Sequence, residues 1–463
     1  MLFSSPVFFV FFAVYFLLHV LIPPRYRLYL IICGSTIFYS WWKLEYFWLP
    51  YLLMATAYLG VAWMTRAKSE RSRKLRAAVA IVALFLPLAF FKYTDFIYRS
   101  VFSPAAGKGV LIGLPLPLGV SFVTFTLTAY VVDIYRRKFP AGTSARTVLA
   151  YVLFFPHLIA GPILRPDELM PQLEAPTARW LNPTAAIAIF TVGLVKKLVF
   201  ADQIASLVDA VYNRPGIPSA PEAILAIYGF SVQIYCDFSG YTDMAIGLAM
   251  LLGIRLPENF ARPYCADTIV DFWRRWHITL SFWLRDYLYI PLGGNRSGRL
   301  RESSNIIVTM ALGGLWHGAN WTFVIWGVLH GVAVALVHRL RRRGERSGLR
   351  RMPRTLATLL TFNFVTLAWI LFRAPNLRRA GDMISAPFIG GWGDFPAVLA
   401  ANSFPALLMV IFFLLHPFDD HAHIGSAVQR LRREMVWPGI ALLWIVAVTV
   451  SQGSSARFIY FDF

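Results

Sequence analysis

The sequence predicts an all-helical protein that crosses a membrane many times. Of its 463 residues, 57% are hydrophobic and 15% are charged, whereas soluble domains average about 25% charged residues. Apolar runs recur from end to end, and no polar stretch between them is long enough for a separate soluble domain. We therefore expect one membrane domain, 1–463, with roughly ten to twelve transmembrane helices by the length that spans a bilayer, together with re-entrant or interfacial helices.

The distribution of charge predicts how the chain is oriented. It carries 44 lysines and arginines against 24 acidic residues, a net charge of +20. In a membrane protein such an excess is typical of cytoplasmic loops rather than of a nucleic-acid surface. Basic clusters at 66–76, 136–138 and 339–354 are therefore expected in the cytoplasm, the last of them against membrane lipid headgroups. Counting spans from these clusters predicts that both termini lie outside.

The predicted spans follow the apolar runs along the chain. They are 6–22, 28–42, 47–64, 77–91, 119–135, 185–200, 224–253, 355–372, 404–416 and 436–450, and the central stretch 271–331 lies between the seventh and the eighth of these runs. The first run has no basic n-region or cleavage site and is interpreted as a retained span rather than a signal peptide. The run 148–162 is about 14 residues long, which suits a re-entrant or interfacial segment, and His157 within it is expected to be structural.

Two acids, Asp237 and Asp243, lie six residues apart inside one apolar run. Paired carboxylates serve general acid–base chemistry, but an acid inside a membrane also commonly pairs with a base. We therefore expect ion pairs with Arg274, Arg275 or Arg285, and the catalytic alternative stays open.

The stretch 271–331 contains two prominent histidines. It begins DFWRRWHITLSFWLRDYLYIPLGGNR and resumes as IIVTMALGGLWHGANWTFVIWGVLHG. If the apolar runs around His317 form a span, an ionisable ring lies near mid-bilayer, which indicates a functional site, and the neighbouring glycines let backbone or ligand approach. The alternative is a core histidine whose ring nitrogens are satisfied. His277 follows two arginines, so its segment is not expected to lie wholly in lipid.

Several soluble chemistries are excluded by their missing motifs. No GxGxxG, GxxxxGK[ST], HExxH or GxSxG pattern is present, and we predict neither a metal nor a permanently bound cofactor. A neutral imidazole titrates near working pH and can take a proton from a hydroxyl. Activation of an alcohol for acyl transfer across the membrane, from a thioester inside to a hydroxyl outside, therefore fits these residues.

The chain resembles the membrane-bound O-acyltransferases, in their bacterial alginate O-acetylation (AlgI-like) branch. The resemblance covers nearly the whole length and is carried by these motifs: MLFSSPVFF, PLGVSF, LIAGPI, VKKLVFADQIA, YCDFSGYTDMAIG, ENFARPY, FWRRWHITLSFWLRDYLYIPLGG and LGGLWHGANW. It implies a ring-like helical bundle around a central tunnel in a bacterial inner membrane, with the catalytic core at about 115–340. Thr126 departs from the pattern, since this branch is expected to have Gln there.

The resemblance also implies roles for individual residues. His317 takes the place of the family's essential histidine and is predicted to be the general base, and His277 is predicted to orient the substrate or stabilise an oxyanion. Six residues in or near these motifs are predicted to bind substrate: Asp237, Trp316, Asn320, Trp276, Arg275 and Ser281. The expected acyl donor is acetyl-CoA. The expected partners are a polysaccharide acceptor and a periplasmic SGNH-type acyltransferase.

The C-terminal tail, 452–463, ends in Phe458-Ile-Tyr460-Phe-Asp-Phe463. Its residues suit an aromatic anchor at the outer interface. The F-x-Y-x-x-F pattern also resembles the terminus of the small partner protein in teichoic-acid D-alanylation systems. We therefore predict that Tyr460 enters the tunnel and carries the acyl group covalently for a time.

The alternatives fall into two groups. D-alanyl transfer or peptidoglycan O-acyl transfer would use the same mechanism on a different substrate. A transporter for an anionic polymer would also be polytopic and basic, but it would not need a Trp-His-Gly motif flanked by glycines. A scaffold for polysaccharide enzymes is the third class, although histidines inside a membrane rarely lack a role.

Overall fold

The computed structural model is helical throughout the part of the chain that it describes. It describes residues 1–102, 111–175, 180–296, 298–347, 352–452, 456, 458 and 459, with the backbone alone at 342–347 and 433. Among these residues there are twenty-two α-helices and no β-strand. The prediction of an all-helical fold is confirmed.

The chain divides into two compact units. The first comprises Met1–Phe190 and Thr242–Pro257. Its helices are α1 Pro6–Leu21, α2 Arg27–Ser40, α3 Trp48–Thr65, α4 Glu70–Leu88, α5 Thr94–Val101, α6 Val120–Tyr135, α7 Ala145–Leu153, α8 Phe155–Leu158, α9 Pro166–Glu174 and most of α10 Pro183–Val195.

The second unit comprises Thr191–Tyr241 and Glu258–Phe463. Its helices are α11 Asp202–Tyr212, α12 Ala220–Leu251 as far as Tyr241, α13 Ile269–Arg275, α14 Ile278–Leu284, α15 Arg299–His317, α16 Trp321–Ser347, α17 Arg354–Arg373, α18 Leu377–Ile389, α19 Phe395–Ala401, α20 Ser403–Leu415, α21 His421–Arg430 and α22 Arg433–Ser451. A π-helical segment, Lys196–Ala201, joins α10 to α11. One membrane domain over 1–463 stays a prediction from the sequence.

Several helices begin at a side-chain cap. The side chains of Ser5, Ser69, Ser144, Thr268, Asn376 and Asp420 each accept a hydrogen bond from the backbone N–H three residues on. These caps satisfy N–H groups that have no partner within the helix. They set helix starts between apolar runs that by themselves have no sharp boundary.

Six described helical stretches are long and apolar enough to cross a membrane. They are Leu44–Thr65, Glu70–Val101, Pro183–Tyr212, Trp321–Arg341, Arg354–Arg373 and Glu434–Ser451, and the bent pair Phe395–Ala401 and Ser403–Phe418 would make a seventh. Pro6–Leu21 and Val120–Tyr135 are shorter apolar helices. A polytopic membrane protein is therefore confirmed, with fewer spans by length and composition than the predicted ten to twelve. The difference arises in part because two apolar helices are too short and a further pair is bent.

The run 148–162 is one of these short, buried segments. It forms the end of α7 and the four-residue α8, which are separated at Phe154 and buried in the first unit. His157 is 3% exposed, and its Nε2 lies 2.8 Å from the carbonyl oxygen of Tyr151. The segment is too short to span, as predicted, and the histidine ring is held by a local backbone contact.

Helices α15 and α16 form a tightly packed antiparallel hairpin. A Cβ added to Gly314 would lie 2.2 Å from the carbonyl oxygen of Phe323, and one added to Gly327 would lie 2.2 Å from that of Met310. The glycines beside His317 therefore let backbone approach backbone. His317 is the last residue of α15, and the chain reverses before α16 begins. The expectation of a histidine in the middle of one continuous span is wrong, because the two apolar runs belong to two helices.

Candidate active site

His277 lies in the link between α13 and α14 of the second unit. Its backbone adopts the left-handed conformation, with φ 44° and ψ 56°, and its side chain is completely buried. Such a conformation is uncommon for residues other than glycine, and strained backbone often occurs at functional sites. The geometry turns the chain so that two short helices meet at this ring.

Asn259 sets the hydrogen bonding of the His277 ring. Its Oδ1 lies 3.2 Å from His277 Nδ1 and also accepts hydrogen bonds from the backbone N–H and the hydroxyl of Thr279. An oxygen that accepts from a backbone N–H is an acceptor, so Nδ1 must carry the hydrogen and donate. In the neutral ring the lone pair then lies on Nε2, and Nε2 is buried with no hydrogen-bond partner among the described residues.

This tautomer differs from the one that an oxyanion donor requires. A neutral imidazole with hydrogen on Nδ1 accepts at Nε2 and donates there only after it is protonated. Burial lowers the pKa of His277 to about 3, because a buried site disfavours the charged form. The oxyanion-stabilising role predicted for His277 therefore fits this environment less well than the orienting role.

His317 lies near His277, within an aromatic enclosure. The centroids of the two imidazole rings are 6.4 Å apart. The ring of Trp326 stands at 90° to His317 with centroids 5.4 Å apart, and Phe372 lies at 5.3 Å. His317 is 4% exposed. Tertiary structure thus brings together two histidines that are forty positions apart in the sequence.

Two of the predicted substrate-binding residues are tryptophans next to these histidines. Trp316 is buried, with its ring centroid 5.0 Å from that of His317 and 6.4 Å from that of His277. Trp276 is 1% exposed and packs against Phe260 and Trp369. Trp316 thus contributes to the wall around both imidazoles, whereas Trp276 packs in the core beneath His277.

Three other predicted substrate-binding residues have structural contacts. Arg275 Nε pairs with Asp271 at 2.8 Å, one helical turn away. Ser281 Oγ lies 3.4 Å from the carbonyl oxygen of Trp276. The side chain of Asn320 accepts a hydrogen bond from the backbone N–H of Thr322 and donates one to the carbonyl oxygen of Pro375. Their assignment to substrate stays a prediction.

Asp237 has a different partner from the one expected. Its carboxylate pairs with Lys197 at 2.8 Å, whereas Arg275 pairs with Asp271 and Arg285 with Asp286. The expected arginine partner is wrong, because the neighbouring π-helical segment brings a lysine closer. Six residues on an α-helix also turn Asp243 about 120° away from Asp237, and the acid–base alternative for the two acids stays a prediction.

Other functional candidates are visible only in three dimensions. Asn259 is part of the ENFARPY motif, but nothing in its sequence context singled it out as the partner of a histidine 18 positions later. Lys197 lies near one end of the apolar run 185–200, where lysines commonly reach towards headgroups, yet it is 3% exposed. Tyr460, the predicted acyl carrier, lies outside the described residues.

Comparison with known proteins identifies the family to which this chain belongs. The sequence profile of the membrane-bound O-acyltransferase (MBOAT) family matches residues 136–376, which contain both histidines and Asn259. The chain is 40% identical to the probable alginate O-acetylase AlgI of Pseudomonas aeruginosa, over 87% of this chain and 78% of that protein. The chain belongs to the membrane-bound O-acyltransferase family.

Two further relatives show the range of acceptors within this similarity. The chain is 37% identical to the peptidoglycan O-acetyltransferase of Helicobacter pylori, over 82% of this chain and 78% of that protein. It is 28% identical to the teichoic acid D-alanyltransferase of Streptococcus thermophilus, over 55% and 68%. This MBOAT protein is a multi-pass membrane O-acyltransferase, so the transporter and scaffold alternatives are not retained.

Proposed function

We propose that this MBOAT protein transfers an acetyl group from cytoplasmic acetyl-CoA across a bacterial inner membrane for O-acetylation of an extracytoplasmic polysaccharide. Two relatives named as O-acetyl-transferring enzymes, at 37–40% identity, support the acetyl group. The observation that carries the proposal is the pair of buried imidazoles, whose ring centroids are 6.4 Å apart; Nε2 of His277 has no hydrogen-bond partner in the part of the chain that the structure describes. That arrangement suits the activation of a hydroxyl where water is excluded.

His317 acts as the general base in this proposal. It takes the proton of the attacking hydroxyl while the hydroxyl oxygen forms an ester bond to the acyl carbon. The carbon–sulfur bond of the thioester breaks, and coenzyme A leaves as its thiol after regaining a proton. The aromatic enclosure of Trp316, Trp326 and Phe372 keeps the imidazole in one orientation, which a positioned base requires.

His277 acts as a positioning residue. Its bare Nε2 accepts a hydrogen bond from an N–H or O–H group of the bound donor or acceptor, and Asn259 keeps the ring in the tautomer that permits this. A buried acceptor that lacks a hydrogen bond raises the free energy of the folded protein. A substrate group that fills it gains that interaction, which provides both binding and alignment.

Tyr460 is the proposed intermediate carrier. Its phenol takes the acyl group from the thioester, and the resulting aryl ester passes it to a serine of a periplasmic SGNH-type acyltransferase, which completes transfer to the polymer. An aryl ester is more reactive than an alkyl ester, so transfer of the acyl group from Tyr460 onward to the serine is downhill. Periplasmic termini, as the positive-inside count predicts, place Tyr460 on the side where the acyl group must emerge.

The acceptor has one specific alternative. The relatives include enzymes named for alginate, for peptidoglycan and for teichoic acid D-alanylation. The identities to the first two differ by only three percentage points, so peptidoglycan is the second candidate acceptor. D-alanyl transfer has weaker support at 28% identity.

Oriented membrane vesicles test the direction of transfer. With radiolabelled acetyl-CoA supplied on the cytoplasmic face alone, we expect donor consumption and label appearing on protein or acceptor at the other face. His317→Ala vesicles should show neither. Consumption of donor supplied only on the outer face would overturn the proposed orientation, and wild-type activity of His317→Ala would overturn the proposed chemistry.

A further inference from the structure

Three buried charged residues of the second unit form one connected network. The Nζ atom of Lys197 lies 2.7 Å from Asp202 Oδ1 and 2.8 Å from Asp237 Oδ1. All three side chains are at most 8% exposed. Lys197 and Asp202 lie on adjoining helical segments, and Asp237 comes from α12.

A glycine lets α12 reach this network. A Cβ on Gly240 would lie 2.7 Å from the carbonyl oxygen of Gly193 and 3.1 Å from Cβ of Lys196. The backbone of α12 therefore packs directly on the end of α10 and the π-helical segment. Asp237 is one helical turn before Gly240, so this close approach brings its carboxylate to Lys197.

Among the residues that the structure describes, Lys197 pairs with both carboxylates of the network. Buried carboxylates need further hydrogen-bond donors to compensate for the loss of water. The remaining oxygen of each acid receives a backbone N–H from the C-terminal tail. Asp202 Oδ2 accepts from Ala456 at 3.1 Å, and Asp237 Oδ2 accepts from Ile459 at 2.7 Å.

We infer that Lys197, Asp202 and Asp237 form a carboxylate clamp that docks the protein's own C-terminal tail in register beside the active site. The two acceptors hold backbone groups three residues apart, so the clamp fixes the position of the tail along its length. Charge-assisted hydrogen bonds of this kind are stronger than neutral ones. Asp237 is thereby a positioning residue for the tail and does not need to touch substrate.

Aromatic contacts connect the docked tail to the active site. The Phe458 ring lies 4.9 Å from that of Tyr241 and 6.0 Å from that of Phe238. Phe238 in turn stands at 89° to the His277 ring, with centroids 4.7 Å apart. One phenyl ring thus separates the docked tail from His277, and Tyr460 is the next residue after Ile459.

The inference deepens the proposed function, since it names what would hold the proposed acyl carrier in place. Its role in transfer rests on that proposal, but the docking itself rests on the contacts of Ala456 and Ile459. An experiment that measures docking without acyl transfer keeps the two separate.

Hydrogen exchange of the full-length protein in detergent or nanodiscs measures the docking. We expect the amides of Ala456 and Ile459 to be protected in the wild type, because both are hydrogen-bonded. Asp237→Asn should speed exchange at Ile459 about ten-fold or more and Asp202→Asn should do so at Ala456, because a neutral amide is a weaker acceptor than a carboxylate. Unchanged exchange in both variants, or no protection in the wild type, would overturn the clamp.

Asp419→Asn is the matched control. Asp419 forms a similar, partly buried pair with Lys196, at 2.6 Å, and it also accepts a hydrogen bond from Tyr235 rather than from the tail. The Asp419→Asn variant should leave hydrogen exchange at the Ala456 and Ile459 amides at the wild-type rate. Hydrogen exchange of the α12 amides in every variant reports whether the fold is intact. If α12 loses its protection in one of the two test variants, Asp237→Asn or Asp202→Asn, the test rests on the other.

Steady-state kinetics give the second readout. Asp237→Asn should lower kcat about ten-fold while leaving the KM for the acyl donor unchanged, because the tail and not the donor is displaced. Faster tail exchange with normal kcat would retain the clamp and contradict the acyl relay. Slow transfer with wild-type tail exchange would contradict the clamp and leave the relay standing.

Discussion

Nδ1 of His277 lies 3.2 Å from Oδ1 of Asn259, and this contact fixes which ring nitrogen is free. Because Asn259 Oδ1 also accepts from the backbone N–H of Thr279, the amide cannot present its NH₂ group to the histidine. The neutral imidazole therefore keeps an acceptor at Nε2. Asn259 thus decides which nitrogen of His277 can accept a hydrogen bond from a substrate.

Substitutions at position 259 should separate this tautomer control from packing. Asn259→Leu removes the acceptor and is expected to lower kcat/KM by about ten-fold, since a buried ring nitrogen loses its partner. Asn259→Asp keeps the acceptor and should retain more activity. Its negative charge would raise the pKa of His277, so the acidic limb of the pH–rate profile should move to higher pH with Asp but not with Leu. An unmoved profile in the Asp variant would show that His277 is not titrating in the reaction.

At position 277 itself, Gln and Met form a matched pair. The two side chains are similar in size, and each would have to adopt the same left-handed backbone conformation, with φ 44°. His277→Gln can still accept a hydrogen bond and should retain about ten-fold more activity than His277→Met, on the usual value of a buried hydrogen bond. Equal activity in the two, measured as acetyl transfer from acetyl-CoA, would remove the positioning role.

His317→Ala should abolish transfer while the protein still inserts and folds. Loss of a positioned proton acceptor typically costs about 10²–10⁴-fold in rate. The substitution lies at the last residue of α15, where a shorter side chain does not interrupt the helix. Monodisperse elution in detergent and wild-type melting would show that the fold survives. Near-normal polymer acetylation in this variant would refute the general-base assignment.

Tyr460→Phe separates the two interpretations of the tail. The change keeps the aromatic ring and removes only the phenolic oxygen. If Tyr460 carries the acyl group, polymer acetylation should fall to background while tail exchange at Ile459 stays at the wild-type rate. Wild-type acetylation would leave the tail as an interfacial anchor.

Gly314→Ala should destabilise the hairpin that carries His317. The added Cβ would meet the carbonyl oxygen of Phe323 at 2.2 Å, and overpacking of this kind costs about 1–3 kcal/mol. Gly425→Ala is the control, because no atom lies within 4 Å of its added Cβ and alanine favours the helix. Thermal melting in detergent should show a lower Tm for the first and no loss for the second.

The sequence determined the class of this protein because class depends on properties that add along the chain. Its low share of charged residues and its recurrent apolar runs require a membrane. Local motifs likewise singled out His277 and His317 by residue type and neighbours, before any distance between them was known. The resemblance to the membrane-bound O-acyltransferases rested on the same local patterns.

Tertiary structure decided what each of these residues contacts. An apolar run indicates that a segment is kept from water, but it does not indicate whether lipid or protein surrounds that segment. The runs on either side of His317 therefore gave no sign that the chain reverses between α15 and α16. Partner choice is likewise a matter of distance in space: Asp237 meets Lys197 rather than an arginine because Gly240 lets α12 approach the π-helical segment, and His277 meets Asn259 because a left-handed residue turns the chain between α13 and α14.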